Sequence, residues 1–259
     1  MFSEQKQAIA NAFGKAALSY DASAEFQRRV GHALLDRLPY FDRPQHVIDV
    51  GCGTGYFSSQ LRDKGHNVTC VDLSQAMLDV ANQRCGESVD YLQADAENLP
   101  LPSNSIDIAF SSLALQWCSD LSVPLQEMRR VVRPGGIIAF TTLVDGSLKE
   151  LSEAWASVDS YQHINEFLSE KLIKVALAQA GLSAEPVEFV PIVQYYASAK
   201  ALMRDLKGIG ANHVPQARRP GLSGRRAIDQ VEQAYQQYRH DNNLLPATYQ
   251  VCFGVIVNE

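Results

Sequence analysis

Nowhere in this sequence are two cysteines separated by two residues. The five that occur, Cys52, Cys70, Cys85, Cys118 and Cys252, are odd in number and widely spaced, so neither a disulfide framework nor a zinc site is expected. Three fall in apolar or strand-like runs, where cysteine acts as a small buried hydrophobe. The six histidines are equally scattered, and with no metal-ligand spacing among them no metal is expected. No apolar run reaches the length of a bilayer, and the opening MFSEQKQAIANAF lacks a basic start followed by an apolar segment. The expectation is a cytoplasmic protein without membrane contact. Positive charge is also in the minority: 23 Lys and Arg stand against 29 Asp and Glu, a formal net charge of −6, which argues against wholesale nucleic-acid binding. Apolar residues are not scarce. At 46% hydrophobic over 259 residues, the chain can bury one large core or two modest ones, and disorder is excluded.

The first half alternates apolar runs with helical patterns: HVIDV, a helix from about Ser58, NVTCVDL, a helix from Ser74, VDYLQA, IDIAFSS, a helix around Leu121 to Val132, and GIIAFTTL. That alternation predicts parallel strands with crossover helices. Ser74 is a candidate N-cap, and Pro134, Gly135 and Gly136 end the next helix and turn the chain into a strand. Before this core, Ile9 to Leu38 read as helical with a break near Tyr20 and Asp21; after it, Ser169 to Ala180 read as a helix closed by Gly181. Two late strands, about Val187 to Tyr196 and Tyr249 to Val257, bracket an insertion. The expected organisation is a helical lid over 1–42, a core of 43–196 with 247–259, and a basic helical insertion over 197–246.

VIDVGCGTGYF, residues 47 to 57, places Gly51, Gly53 and Gly55 between a buried strand and a helix. Glycines there let the backbone approach a ligand closely, at a helix N-terminus with free N–H groups. Such a loop alone is a weak signal. A dinucleotide fingerprint starting at Gly51 would want glycine where Tyr56 stands. The pattern is instead Asp-x-Gly-x-Gly-x-Gly including Asp49, and an acid at that strand end suits a cofactor with an amino-acid end, since it repels pyrophosphate and accepts from an ammonium. Asp72 ends the second strand, where an acid can accept two ribose hydroxyls, and Asp95 follows the third, within reach of an adenine amino group.

With these residues the chain resembles the class I S-adenosylmethionine-dependent methyltransferases over about residues 43 to 143, on the loop Gly51 to Gly55, on Asp72, on Asp95 with Ala96, and on VVRPGG at 131 to 136. The resemblance implies a Rossmann-like α/β fold whose seven-stranded, mostly parallel sheet has its last strand antiparallel. It also implies S-adenosylmethionine as cofactor, with Asp49 to Gly55 at its methionine part, Asp72 and the adjoining Leu73 at the ribose, and Asp95 and Ala96 at the adenine. After the fourth strand, FSSLALQW replaces the Asn/Asp-Pro-Pro-aromatic motif of base methylases. No Lys-Glu or His-Glu pair stands out as a dedicated base, and a carboxylate acceptor needs none.

Beyond the core, FGKAALSYD (13–21), FSSLALQWCSDL (110–121), FTTLVDGSLKELSEAW (140–155), HINEF (163–167), LKGIGANHV (206–214) and RRPGLSGRR (218–226) resemble the malonyl-acyl-carrier-protein O-methyltransferases of biotin synthesis, the BioC family. The resemblance implies esterification of the free carboxylate of a malonyl thioester on acyl carrier protein, which disguises the primer for extension toward a pimeloyl chain. Tyr20 is then a candidate to close over the cofactor and orient the carboxylate, Gln116 to hydrogen-bond the acceptor, and Trp117 to wall the pocket. Lys200, Arg204, Lys207, Arg218, Arg219, Arg225 and Arg226 concentrate in the insertion, with Asp205 the single acid from its start up to Arg226. They are candidates to dock the acidic carrier or bind the substrate carboxylate, the bland reading being a solvated loop; Arg225 or Arg226 could instead reach inward. The competing readings are a methyltransferase of a small metabolite such as a quinone precursor or fatty acid, a cofactor-binding protein without turnover, and an RNA methyltransferase.

Overall fold

The computed structural model describes residues 3–211 and 225–259. Three helices lead the chain: α1 (Glu4–Ala16), α2 (Tyr20–Ser23) and α3 (Glu25–Leu35). Ser3 caps α1 by accepting from the Lys6 N–H. The break falls at Ala17 to Ser19, so Tyr20 opens α2.

The core then runs β1 (His46–Val50), α4 (Tyr56–Asp63), β2 (Asn67–Asp72), α5 (Gln75–Cys85), β3 (Asp90–Gln93), β4 (Ile106–Ser112), α6 (Ser122–Val131) and β5 (Val132–Val144). It continues with α7 (Lys149–Ala156), α8 (Glu170–Gln179), β6 (Val187–Tyr196), α9 (Ala199–Gly208), α10 (Arg225–Tyr235) and β7 (Leu245–Val257). The seven strands form one sheet in the order β3-β2-β1-β4-β5-β7-β6. Strands β1 to β5 are parallel, and β7 runs antiparallel between β5 and β6. Helices cover both faces and bury two apolar clusters, one including Leu34, Ile108 and Phe110, the other Ile48, Leu125 and Ile138.

Strand order reverses between β1 and β4, so the chain leaves β1 toward opposite sides of the sheet and opens a crevice beyond the strands' carboxyl ends. The leading helices close over that crevice: α1 packs on α5, and α2 on α9. The insertion is anchored from below, where α10 packs on α7 and the buried Tyr235 donates its hydroxyl to the Pro246 carbonyl at 2.8 Å. Among the described residues no helix is long and apolar enough to cross a membrane.

Several boundaries differ from the sequence reading. β7 begins four residues earlier than Tyr249, because Leu245 to Thr248 continue the ladder opposite Tyr196 to Val193. The segment Pro134 to Gly136 lies inside β5, where the register with β4 shifts between Ile106 and Ile108, and Gly135 takes φ +79. Ser74 occupies the N-cap of α5 without a side-chain bond.

Candidate active site

The glycine loop rises from β1 and is pinned to β2. Gly51 and Cys52 donate their N–H groups to the Val71 carbonyl at 2.7 and 3.0 Å. Gly51 takes φ +73, and a Cβ there would lie 2.2 Å from that of Ala114, so the turn and the close approach both require glycine. Asp72 draws the loop in from the other side: its Oδ2 accepts from Gly53 N–H at 2.9 Å and its Oδ1 from Ser74 N–H at 2.8 Å. Burial is the main cause that raises the Asp72 pKa, against those backbone bonds.

A cavity with about 810 Å³ of empty space opens here, lined by Gly51, Gly53, Asp72, Leu73, Asp95 and Ala96 among others. Six of the eight sequence-predicted cofactor residues therefore meet at one surface. The other two stand apart from it. Gly55 caps α4 where that helix crosses α5, with a Cβ position 2.8 Å from Ala81 Cβ. Asp49 is buried behind the loop and accepts from Ser58 Oγ at 2.6 Å. Burial, helped by the charge of Asp72, pushes Asp49 up to about 7 against the Ser58 hydrogen bonds.

Asp95 carries a partner that the sequence did not announce. Lys6 on α1 bridges Asp95 and Glu97, the latter at 2.7 Å, and lines the same cavity. Burial would lower the Lys6 pKa, but hydrogen bonds to both carboxylates outweigh it and raise it. A second tie joins α2 to the loop: Asp21 accepts from Thr54 Oγ1 at 2.8 Å and pairs with Arg84 of α5.

Tyr20 stands between this cavity and a second one, of about 650 Å³, which also shares Phe13, Leu113 and Trp117. Burial first, and then the charges of Asp72 and Asp21, hold the Tyr20 hydroxyl far above the usual phenol range. It stays protonated and can donate. Phe13 meets Trp117 edge to face, centroids 5.1 Å apart. The second cavity is walled by Phe26, Leu143, Leu148, Ile164, Phe167 and Ile209, with Gln27, Gln116, His163, Asn165 and Tyr249 as its other polar members. Gln116 donates its amide N–H to the Leu113 carbonyl at 2.8 Å. His163 stacks on Trp155 at 3.6 Å and its Nε2 meets Asp159 at 2.7 Å.

The described basic residues are arranged otherwise than a carboxylate clamp requires. Arg225 and Arg226 are exposed at the start of α10, so neither reaches inward. Lys200 is paired with Asp229 at 2.6 Å, and its N–H meets Glu232, which leaves that cation neutralised inside the insertion. Arg204 and Lys207 are exposed on α9, while Arg218 and Arg219 lie outside the described residues. Apart from Lys6, no lysine or arginine among the described residues lines either cavity, nor do those residues hold a cluster of three or more metal-ligand side chains.

Residues 48–140 match the family model described as a methyltransferase domain. A malonyl-[acyl-carrier protein] O-methyltransferase of Serratia marcescens is 45% identical over 254 residues, covering 98% of this chain and 96% of that protein. A biotin biosynthesis bifunctional protein, BioHC, of Cellvibrio japonicus is 39% identical over 254 residues, 97% of this chain and 50% of its own. Among solved structures, a candidate methyltransferase from Bacillus halodurans matches with a TM-score of 0.62 at 15% identity, covering 88% of this chain and 97% of the other; that likeness bears on the fold.

Proposed function

The chain belongs to the malonyl-[acyl-carrier protein] O-methyltransferase family, and we propose that it methylates the free carboxylate of a malonyl thioester on acyl carrier protein, with S-adenosylmethionine as donor, for biotin synthesis. One observation carries the reading. Five of the six stretches that mark the closer resemblance contribute to the second cavity: Phe13 and Tyr20; Leu113, Gln116 and Trp117; Leu143 and Leu148; His163, Ile164, Asn165 and Phe167; and Leu206, Ile209 and Ala211. They surround a space that shares a wall with the glycine-loop cavity, which is the geometry a transfer between two bound molecules needs. The name of the Serratia marcescens relative favours the carrier substrate over the small-metabolite alternative.

The first cavity fits the cofactor. The side-chain-free surface at Gly51 and Gly53, the spare lone pairs of Asp72 and the backbone at Asp95 and Ala96 suit the methionine, ribose and adenine parts in turn. Asp49 supports this surface from behind through Ser58. The cofactor supplies an electrophilic methyl on a sulfonium. The chain's own work is alignment and drying: Tyr20 donates to one carboxylate oxygen and leaves the other oriented, while Phe13 and Trp117 exclude water from the line between the cavities. An acid titrating near ~4 is already ionised at neutral pH, so no base is called for.

The docking of the carrier is assigned to the insertion. Arg225 and Arg226 on α10 are exposed, as are Arg204 and Lys207 on α9, and their positive charge suits an acidic partner. The test is growth: expressed in a bacterium that lacks its own carrier-malonate methyltransferase, the protein restores growth without biotin. Failure to do so, with the folded protein present and binding S-adenosylmethionine, counts against the reading.

A further inference from the structure

Four buried side-chain oxygens among the described residues accept no hydrogen bond, and three of them, Gln27 Oε1, Gln116 Oε1 and Asn165 Oδ1, belong to residues that line the second cavity. They come from α3, from the turn after β4 and from the segment between α7 and α8. Gln116 is fixed in orientation, because its Nε2 donates to the Leu113 carbonyl at 2.8 Å and leaves the oxygen as the open group. Buried acceptors without partners call for a donor, so a fitting occupant of this space brings N–H or O–H groups. An anion that only accepts cannot serve them. The described lining is otherwise mostly apolar, with Phe26, Leu143, Leu148, Ile164, Phe167 and Ile209. The cavity also joins two regions of the molecule. Phe13, Tyr20, Leu113 and Trp117 are shared with the cofactor cavity, whereas Leu206, Ile209 and Ala211 belong to the insertion, in α9 and just after it.

We propose that the second cavity holds the pantetheine arm of the carrier, and that Gln27, Gln116 and Asn165 accept hydrogen bonds from it. The inference rests on the carrier-substrate reading and deepens it. A pantetheine arm carries amide N–H groups and a secondary hydroxyl, spaced by methylene and methyl groups, so it matches separate acceptors set in an apolar wall. Its amides offer an acceptor as well as a donor, and they satisfy a glutamine or asparagine amide in either orientation of that side chain. The arm is also what must pass here. The malonyl end has to reach the wall shared with the cofactor, while the carrier itself stays outside, beside the insertion whose α9 contributes to the lining. These contacts are to a part of the substrate that does not react, and their binding energy serves to hold the carboxylate in line with the methyl group.

Calorimetric titration of protein saturated with sinefungin, a non-transferring amine analogue of the cofactor, compares malonyl-pantetheine with the malonyl thioester of propanethiol, which has the same reacting end and no amide. The unaltered protein is expected to bind malonyl-pantetheine more tightly by about tenfold or more. Gln27→Met and Asn165→Leu keep the shape and remove the acceptor. Each is expected to weaken malonyl-pantetheine by about threefold or more, while affinity for the propyl thioester and for sinefungin stays within about twofold. That difference is a coupling between a protein amide and a ligand amide, which a merely structural role would not produce. Equal affinity of the unaltered protein for the two thioesters, unchanged malonyl-pantetheine affinity in both variants, or losses of equal size on both thioesters overturns the proposal. Methylation of malonyl-loaded carrier by the unaltered protein is measured alongside. Methylation without the expected binding pattern sinks the arm site alone; the pattern without methylation sinks the proposed reaction and leaves the arm site standing.

Discussion

Asp72 joins two tasks in one carboxylate, because the bonds that hold the loop at Gly53 and the helix entry at Ser74 leave lone pairs facing the cavity. Asp72→Ala removes both, and the expected result is cofactor affinity weakened by about tenfold or more in a direct binding titration; unchanged affinity contradicts the assignment. Tyr20→Phe keeps the ring between the cavities and removes only the donor. The turnover number on malonyl-loaded carrier is expected to fall by about tenfold or more, with cofactor affinity unaltered, since one hydrogen bond to a charged group is lost. Asp49 is the residue with a pH signature. Its folded-state pKa of about 7 lies above the unfolded value of about 4, so between those limits the folded protein holds a proton that the unfolded chain has released. The stability this contributes is full below about pH 4 and is lost as pH rises through about 7. A cationic ligand end above the loop favours the ionised form. Cofactor binding between about pH 6 and 7 is therefore expected to release protons, seen as a dependence of the calorimetric enthalpy on buffer ionisation. The release disappears in Asp49→Asn, and a release that persists there removes Asp49 from the account.

Helix α1 is held over the cofactor cavity by Lys6, whose two carboxylate partners leave it and them less than a fifth exposed. Lys6→Ala breaks a partly buried pair and strands Asp95 and Glu97 as neighbouring like charges. The expected outcome is faster cofactor dissociation, by about threefold or more in stopped-flow displacement, with the fold intact by circular dichroism. A dissociation rate equal to the unaltered protein's would mean that α1 does not act as a lid. Elements of this kind were unevenly legible in the sequence. HVIDV is β1 to the residue, Val187 to Tyr196 is β6, and Ser169, Ala180 and Gly181 sit at the ends of α8 as capping chemistry predicts, with Ser169 accepting from Leu172 N–H and Gly181 at φ +71. α7 carries no such signal, since it starts from Leu148 at φ +56 with no capping side chain. The orientation of Asp49 was hidden for another reason. Central strands are buried on both faces, and in β1 all of Val47 to Val50 are buried, so alternation cannot say which side an acid faces. Lys6 was out of reach altogether, because its role comes from convergence of segments distant in the chain rather than from any local pattern.

At the scale of the whole molecule, an acidic chain of net charge −6 must attract a still more acidic carrier, and only a local concentration of positive charge can do that. With Lys200 paired to Asp229, the proposed docking rests on Arg204, Lys207, Arg225 and Arg226 together with Arg218 and Arg219. Charge reversal by Arg218→Glu with Arg219→Glu, or by Arg225→Glu with Arg226→Glu, is expected to raise the KM for the malonyl-loaded carrier by about tenfold or more. The KM for malonyl-pantetheine should change little, and added salt should act with the same selectivity. Equal losses on both substrates would reject the docking role.

The most direct measurement is the intact mass of malonyl-loaded acyl carrier protein after incubation with this protein and S-adenosylmethionine, beside acetyl-loaded carrier. The account predicts the added mass of one methyl group on the malonyl form and none on the acetyl form, with the label lost on ester hydrolysis. An unmodified malonyl carrier, or equal methylation of both forms, would contradict it.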